Sequence, residues 1–138
     1  MTAKQRLNQI RIIDIKLKNL ISERDGLTAK IQNPNINGVR VQTSRGTDPP
    51  WMKNIIRRDE LMLEIAKVWD KFISEKWEII ERLNSLNEVK YIEVLSKKYL
   101  EYKPLDKIAR EMKYSYDYVL KTHGEALKAF ERGFRDST

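Results

Sequence analysis

The sequence predicts an all-α fold: an N-terminal long helical hairpin, coiled-coil-like, followed by a C-terminal three-helix helix-turn-helix module. Three observations carry this expectation. Apolar residues recur at three- and four-residue spacing over two long stretches, which is the period of a helix face. Only 5 Gly and 4 Pro punctuate 138 residues, and three of those Pro and two of those Gly fall between positions 32 and 50. Charged residues make up 34% of the chain, a share that suits long amphipathic helices, while 41% hydrophobic content leaves enough for a core.

The first helix is predicted from about Thr2 to Ile31. Its seam reads Ile10, Ile13, Leu17, Leu20, Arg24, Leu27 and Ile31, a heptad spacing with one charged intruder. Leu7 and Ile21 widen the stripe. Residues 32–50 then break the pattern, with Asn33-Pro34 and Asn37-Gly38 as turn signals. Val39 and Val41 suit a short extended piece, and Arg40 and Arg45 sit in an acid-free stretch. The second helix is expected to start at Asp48 as cap, with Pro49 or Pro50 at the first helical position. Its predicted seam is Trp51, Ile55, Arg58, Met62, Ile65, Trp69, Phe72, Lys76, Ile79 and Leu83. A second stripe, Met52, Ile56, Leu63, Ala66, Ile73, Trp77 and Ile80, runs beside it. A helix apolar over so much of its circumference needs more than one neighbour. Helix 1 covers one side, and either the C-terminal module or a second copy of the chain covers the other; because the module can reach only the nearer end of so long a helix, a homo-oligomer is predicted, with a dimer favoured.

The predicted domain boundary falls at residue 84. Residues 1–84 form the hairpin, for oligomerisation or partner binding, with a basic loop at 32–50. Residues 85–138 form the module. There, Asn87 is the expected cap of a helix over Glu88–Leu100. A short helix starts at Lys103-Pro104 and ends at Met112, with Leu105, Ile108, Ala109 and Met112 inward. Lys113-Tyr114-Ser115 is the turn. Ser115 caps a last helix through about Phe134, with Val119, Ala126, Leu127, Phe130 and Phe134 inward. A short helix, a tight turn and a second helix with polar or amphipathic early residues are the parts of a helix-turn-helix. The residues it offers to duplex DNA are Lys103, Lys113, Ser115, Tyr116, Asp117, Tyr118, Leu120, Lys121 and Thr122, with Arg40 and Arg45 as possible backbone contacts from the loop.

The segment over residues 105–130 resembles the fourth region of bacterial sigma factors, through Ile108-Ala109, Ser115, Val119, Ala126-Leu127 and Phe130. Over nearly its whole length the chain resembles small sigma-region-4-like proteins of phages and prophages of low-GC Gram-positive bacteria, grouped with RinA- and ArpU-type late transcriptional regulators. The matching stretches are Thr2 to Ile10, Gly38 to Ser44, and Tyr114 to Leu127 with its His123-Gly124 pair. The resemblance implies a phage-type transcriptional regulator that binds duplex DNA in the host bacterial cytoplasm, with RNA polymerase as a possible partner. The recognition positions depart from the usual Arg, Glu or Gln of sigma factors. They hold Tyr116, Asp117, Leu120 and Lys121, and Leu120 can offer a base edge only apolar contact, as with a thymine methyl.

Composition narrows the alternatives. With no Cys and a single His, neither a disulfide framework nor a Cys- or His-rich metal site is expected. No cofactor site and no acid–base constellation stand out, so an enzyme is not expected. His123 is read as structural. The GVRVQTSRG loop, residues 38–46, lacks the ending of a phosphate-binding loop. No signal peptide or membrane span is apparent, so a cytoplasmic location is expected. Net charge is +7, which favours polyanions. Residues 1–50 hold 9 Lys/Arg against 4 Asp/Glu, whereas residues 86–138 hold 11 against 9. Two other readings fit the same features. One is a small terminase-like DNA-packaging subunit, disfavoured because such proteins usually place the DNA module first. The other is a helical protein–protein adaptor that does not bind DNA.

Overall fold

The computed structural model describes residues 1–32 and 49–136. The extended piece at Val39 and Val41, the basic arm of Arg40 and Arg45, the Asp48 cap and the inward Phe134 side chain fall outside the described residues. The fold is all-α, with no strand among the described residues. Its helices are α1 (Ala3–Gln32), α2 (Pro50–Asn84), α3 (Val89–Leu95), α4 (Leu105–Met112) and α5 (Tyr116–Asp136). A π-helical turn, Ser96–Leu100, continues α3. None of these helices is long and apolar enough to cross a membrane.

Helix α1 opens with a reciprocal cap. The Gln5 amide donates to Thr2 Oγ1 at 3.2 Å, and the Thr2 amide donates to Gln5 Oε1 at 3.0 Å. Two otherwise unpaired donors are thereby satisfied at once. Helix α2 opens at Pro50, where a missing amide hydrogen costs nothing because the first turn has no partner for it.

The chain divides into two compact units, Met1–Ile13 with Phe72–Thr138 and Asp14–Lys71, so the division cuts across both long helices rather than falling at residue 84. In the second unit α1 and α2 are antiparallel neighbours. Lys16, Asn19, Leu20 and Glu23 share a surface recess with Glu64 and Val68, while Glu23 also meets the earlier Arg57 of α2 at 3.1 Å. Leu17 and Leu61 are buried, and Leu20, Leu27, Ile65 and Val68 are half-buried.

The seam of α2 differs from the predicted one. Leu61 is fully buried and Val68 half-buried, whereas the expected seam residues Trp51, Met62 and Trp69 are exposed. Most of the predicted seam faces inward: Phe72, Ile79 and Leu83 are buried, and Ile55, Arg58, Ile65 and Lys76 are half-buried. Leu61, Ile65, Val68 and Phe72 keep the same four-three spacing one residue earlier at two of the positions. That rotates the buried face towards α1 and leaves the tryptophan-bearing face outside.

In the first unit Ala3, Leu7, Ile10 and Ile13 of α1 and Phe72, Ile79 and Leu83 of α2 are buried. So are Leu95, Tyr99, Ala126 and Phe130. The three-helix module has its own core of Val94, Ile108, Ala109 and Val119, with Leu105 and Met112 packed against it. Each comes from a position expected to face inward except Val94, which α3 supplies. Asn87 does not cap α3. Glu88 occupies that position, in extended geometry and with no side-chain cap bond.

Candidate nucleic-acid interface

The turn between α4 and α5 is built from backbone bonds that the local sequence makes possible. Lys113 adopts a left-handed conformation, φ 61°. Its amide donates to the Arg110 carbonyl at 3.3 Å, and the Tyr114 amide donates to the Ala109 carbonyl at 3.0 Å. This paired closure satisfies the last carbonyls of α4. Glycine usually takes the left-handed position, and a lysine there costs roughly 1–2 kcal/mol of local strain. Ser115 then starts α5: the Tyr118 amide donates to Ser115 Oγ at 3.2 Å. The turn and cap thus fall where the sequence placed them.

Helix α5 buries Val119, Thr122, His123, Ala126 and Phe130 along one side. Asp117, Leu120, Lys121, Gly124 and Lys128 are exposed. Tyr116 and Tyr118 flank that outward face, and Leu120 is 47% exposed. Of the expected DNA-facing residues, then, Lys113, Ser115, Tyr116, Asp117, Tyr118, Leu120 and Lys121 are exposed. Two are placed otherwise. Thr122 is only 6% exposed, and its Oγ1 donates to the Tyr118 carbonyl at 2.8 Å, so its hydroxyl serves the helix. Lys103 is committed to acids within the module, lying 3.0 Å from both Glu101 Oε1 and Glu111 Oε2. The hydrogen bond from Lys97, seconded by that from Lys103, lowers the Glu111 carboxyl to about 2.

Three side-chain ties fasten α5 to α3 and the π turn. Lys90 Nζ donates to Tyr118 Oη at 2.9 Å, and Tyr91 Oη donates to Glu125 Oε2 at 3.2 Å. The third is buried: Tyr99 Oη and His123 Nε2 share a hydrogen bond of 2.8 Å. The π turn carries Tyr99, whose burial pushes its hydroxyl up to about 12. Burial, with Lys98 and Lys4 as secondary causes, lowers the His123 imidazole below its ordinary value. His123 is therefore structural, as its position in the sequence suggested, and neutral in the fold near pH 7.

This sets a pH dependence. A histidine whose folded-state value is depressed takes up its proton more readily in the unfolded chain, so stability is complete above about 6.5 and falls as pH drops below it. Urea midpoints are expected to be lower at pH 5.5 than at pH 7.5, with much of the difference lost in His123→Phe. An equal pH dependence in the variant would show that other groups cause it.

The exposed charge around the turn is mixed. Asp117 stands beside Lys121, while Lys113 and Lys90 lie near the start of α5. Lys90 was missed from sequence because its partner, Tyr118, lies 28 residues further along the chain. What the face can do is make hydrogen bonds, through tyrosine hydroxyls and lysine ammonium groups, and apolar contact through Leu120. No protein-family model, curated protein or solved structure matches this chain.

Proposed function

We propose that the protein is a phage-type transcriptional regulator that binds duplex DNA by laying the outward face of α5 in the major groove. The observation that carries this reading is the α4–turn–α5 unit. The Ser115 cap and a four-residue core of Val94, Ile108, Ala109 and Val119 hold the first turns of α5 outward, with Tyr116, Asp117, Leu120 and Lys121 presented together. The mechanism is recruitment or positioning, and RNA polymerase is the protein partner that the resemblance to sigma region 4 brings into the reading.

The small positive excess of residues 86–138 implies modest affinity from one module, because phosphate neutralisation supplies most non-specific binding. A second copy doubles the contacts, and α2 offers a surface for it. Trp51, Ile56, Met62, Leu63 and Trp69 are all exposed, Leu63 to 70%. An antiparallel α2 pair with its two-fold axis near Leu63 sets Lys67 of each chain opposite Asp59 of the other, so the flanking charges match an identical partner.

Lys121→Glu tests the DNA reading, with Lys53→Glu, an exposed change of equal charge on α2, as the control. In gel shifts with duplex DNA at low salt, Lys121→Glu is expected to weaken binding roughly tenfold or more and Lys53→Glu far less. If both variants bind like the parent, α5 is not the contacting helix. If the parent itself does not bind at micromolar concentration, the exposed tyrosines and Leu120 serve a protein partner, and the adaptor reading replaces this one.

A further inference from the structure

Beside the start of α5 lies a cluster that the helix-turn-helix itself does not require. Lys90, in the first turn of α3, extends its ammonium over two tyrosines. Its Nζ lies 5.6 Å from the Tyr114 ring centroid and 5.4 Å from that of Tyr118. The two rings pack against each other with centroids 4.7 Å apart. The ammonium also donates to Tyr118 Oη at 2.9 Å. Two rings and one hydroxyl therefore fix the position of a lysine side chain that would otherwise sample many rotamers.

Donor counting shows what remains. A lysine ammonium has three N–H groups, and one is used on Tyr118. A phenol that accepts a hydrogen bond keeps its own O–H to donate. Lys90 and Tyr118 thus hold donors side by side on an exposed surface. The hydrogen bond to Tyr118, the largest cause, raises the Lys90 ammonium above its ordinary value, and Glu88 contributes only weakly. The positive end of α5 lies close by, since Tyr118 belongs to its first turn.

We propose that Lys90 and Tyr118 form a preassembled site for one phosphodiester oxygen of duplex DNA, with Tyr114 as the platform beneath the lysine. This rests on the DNA-binding reading of α5 and adds a contact from a different helix. Its role is positioning: a backbone contact fixes how α5 enters the groove and carries no sequence information itself.

Fluorescence anisotropy with two duplexes of different sequence, across a range of salt, separates the possibilities. The proteins are the parent, Lys90→Gln, Lys90→Arg and Tyr118→Phe, with thermal melts to show that each is folded. Losing one phosphate contact lowers the slope of log affinity against log salt by about 0.9, which is about eightfold in affinity at 0.1 M salt. Lys90→Gln is expected to show that loss equally on both duplexes, and Lys90→Arg to restore most of it. Tyr118→Phe, which keeps the ring and removes the donor, is expected to weaken both duplexes alike. A folded Lys90→Gln with unchanged slope and affinity would overturn the proposal and leave the cluster as a brace between α3 and α5. A loss confined to one duplex would also overturn it, because that would mean base reading. Absence of binding by the parent would overturn the DNA reading and this site together.

Discussion

Replacing Ile108 with alanine is expected to destabilise the unit that carries α5 by about 2–5 kcal/mol. The side chain is fully buried among Val94, Ala109 and Val119, with Leu105 and Met112 packed against it. Alanine removes three carbons from a site whose other walls are anchored on three different helices. Collapse to fill the gap would require α3, α4 and α5 to shift together, so a cavity remains and adds to the lost transfer energy. The effect should reach function as well, because Val119 on α5 loses the neighbour that holds the helix outward. Urea denaturation of Ile108→Ala beside Leu120→Ala is the measurement. Leu120 is exposed, so its truncation should fall within about 0.5 kcal/mol of the parent. Similar midpoints for the two variants would mean that the core of the module does not support α5.

Self-association is expected to be the other large effect. Within the second unit α2 exposes two apolar stripes, Trp51, Met62 and Trp69 on one and Ile56 and Leu63 on the other. Contiguous apolar patches beyond a few hundred Å² are rare on soluble monomers. The buried face of the same helix, through Leu61, Ile65 and Val68, is already turned to α1 and cannot also cover these residues. A symmetric pairing through Leu63 matches Lys67 with Asp59 at both ends of the contact, and like charges would have opposed it. Sedimentation equilibrium at micromolar concentration should therefore return twice the 16.4 kDa chain mass. The double variant Met62→Glu/Leu63→Glu places four acids at the centre of that pairing and should return the single-chain mass with its helicity intact. A parent mass of 16.4 kDa that does not rise with concentration would contradict the dimer. So would a double variant that still dimerises.

What the residues announced in advance, and what they hid, follows physical lines. Local chemistry was legible. Ser115 caps α5, Lys113 to Ser115 form the turn and Pro50 opens α2, because each depends on neighbours within a few positions, and the apolar spacing of α4 and α5 marked Ile108, Ala109 and Val119 as inward. The inward face of α2 was legible at Ile65, Phe72, Ile79 and Leu83 but not at Met62 and Trp69. A helix with apolar residues on two sides offers two seams of the same period. Only packing against α1 selects Leu61 and Val68 over Met62 and Trp69. Thr122 was misplaced because its hydroxyl suggested exposure, although Val119, Thr122 and Ala126 share the three-four spacing of a buried face. A back-bond to the Tyr118 carbonyl allows the hydroxyl to be buried. Lys103 was read as a cation facing outward, yet the chain folds Glu101 and Glu111 around it. Nothing local marks the π turn or the pairing of Lys90 with Tyr118. Both depend on how α3 lies against α5.

The most direct test of the central claim is selection of bound duplexes from a pool of randomised sequence, at moderate salt and with excess non-specific competitor. A chain of net charge +7 will hold some DNA at low salt whatever its fold, so retention alone decides little. A major-groove reader must prefer a sequence. The expected result is enrichment of a short motif, present twice in inverted order if the dimer binds. Lys121→Glu should lose that enrichment, and Lys90→Gln should keep the same motif at lower affinity. A retained pool as random as the starting one, or no retained duplex at micromolar protein, would contradict the account.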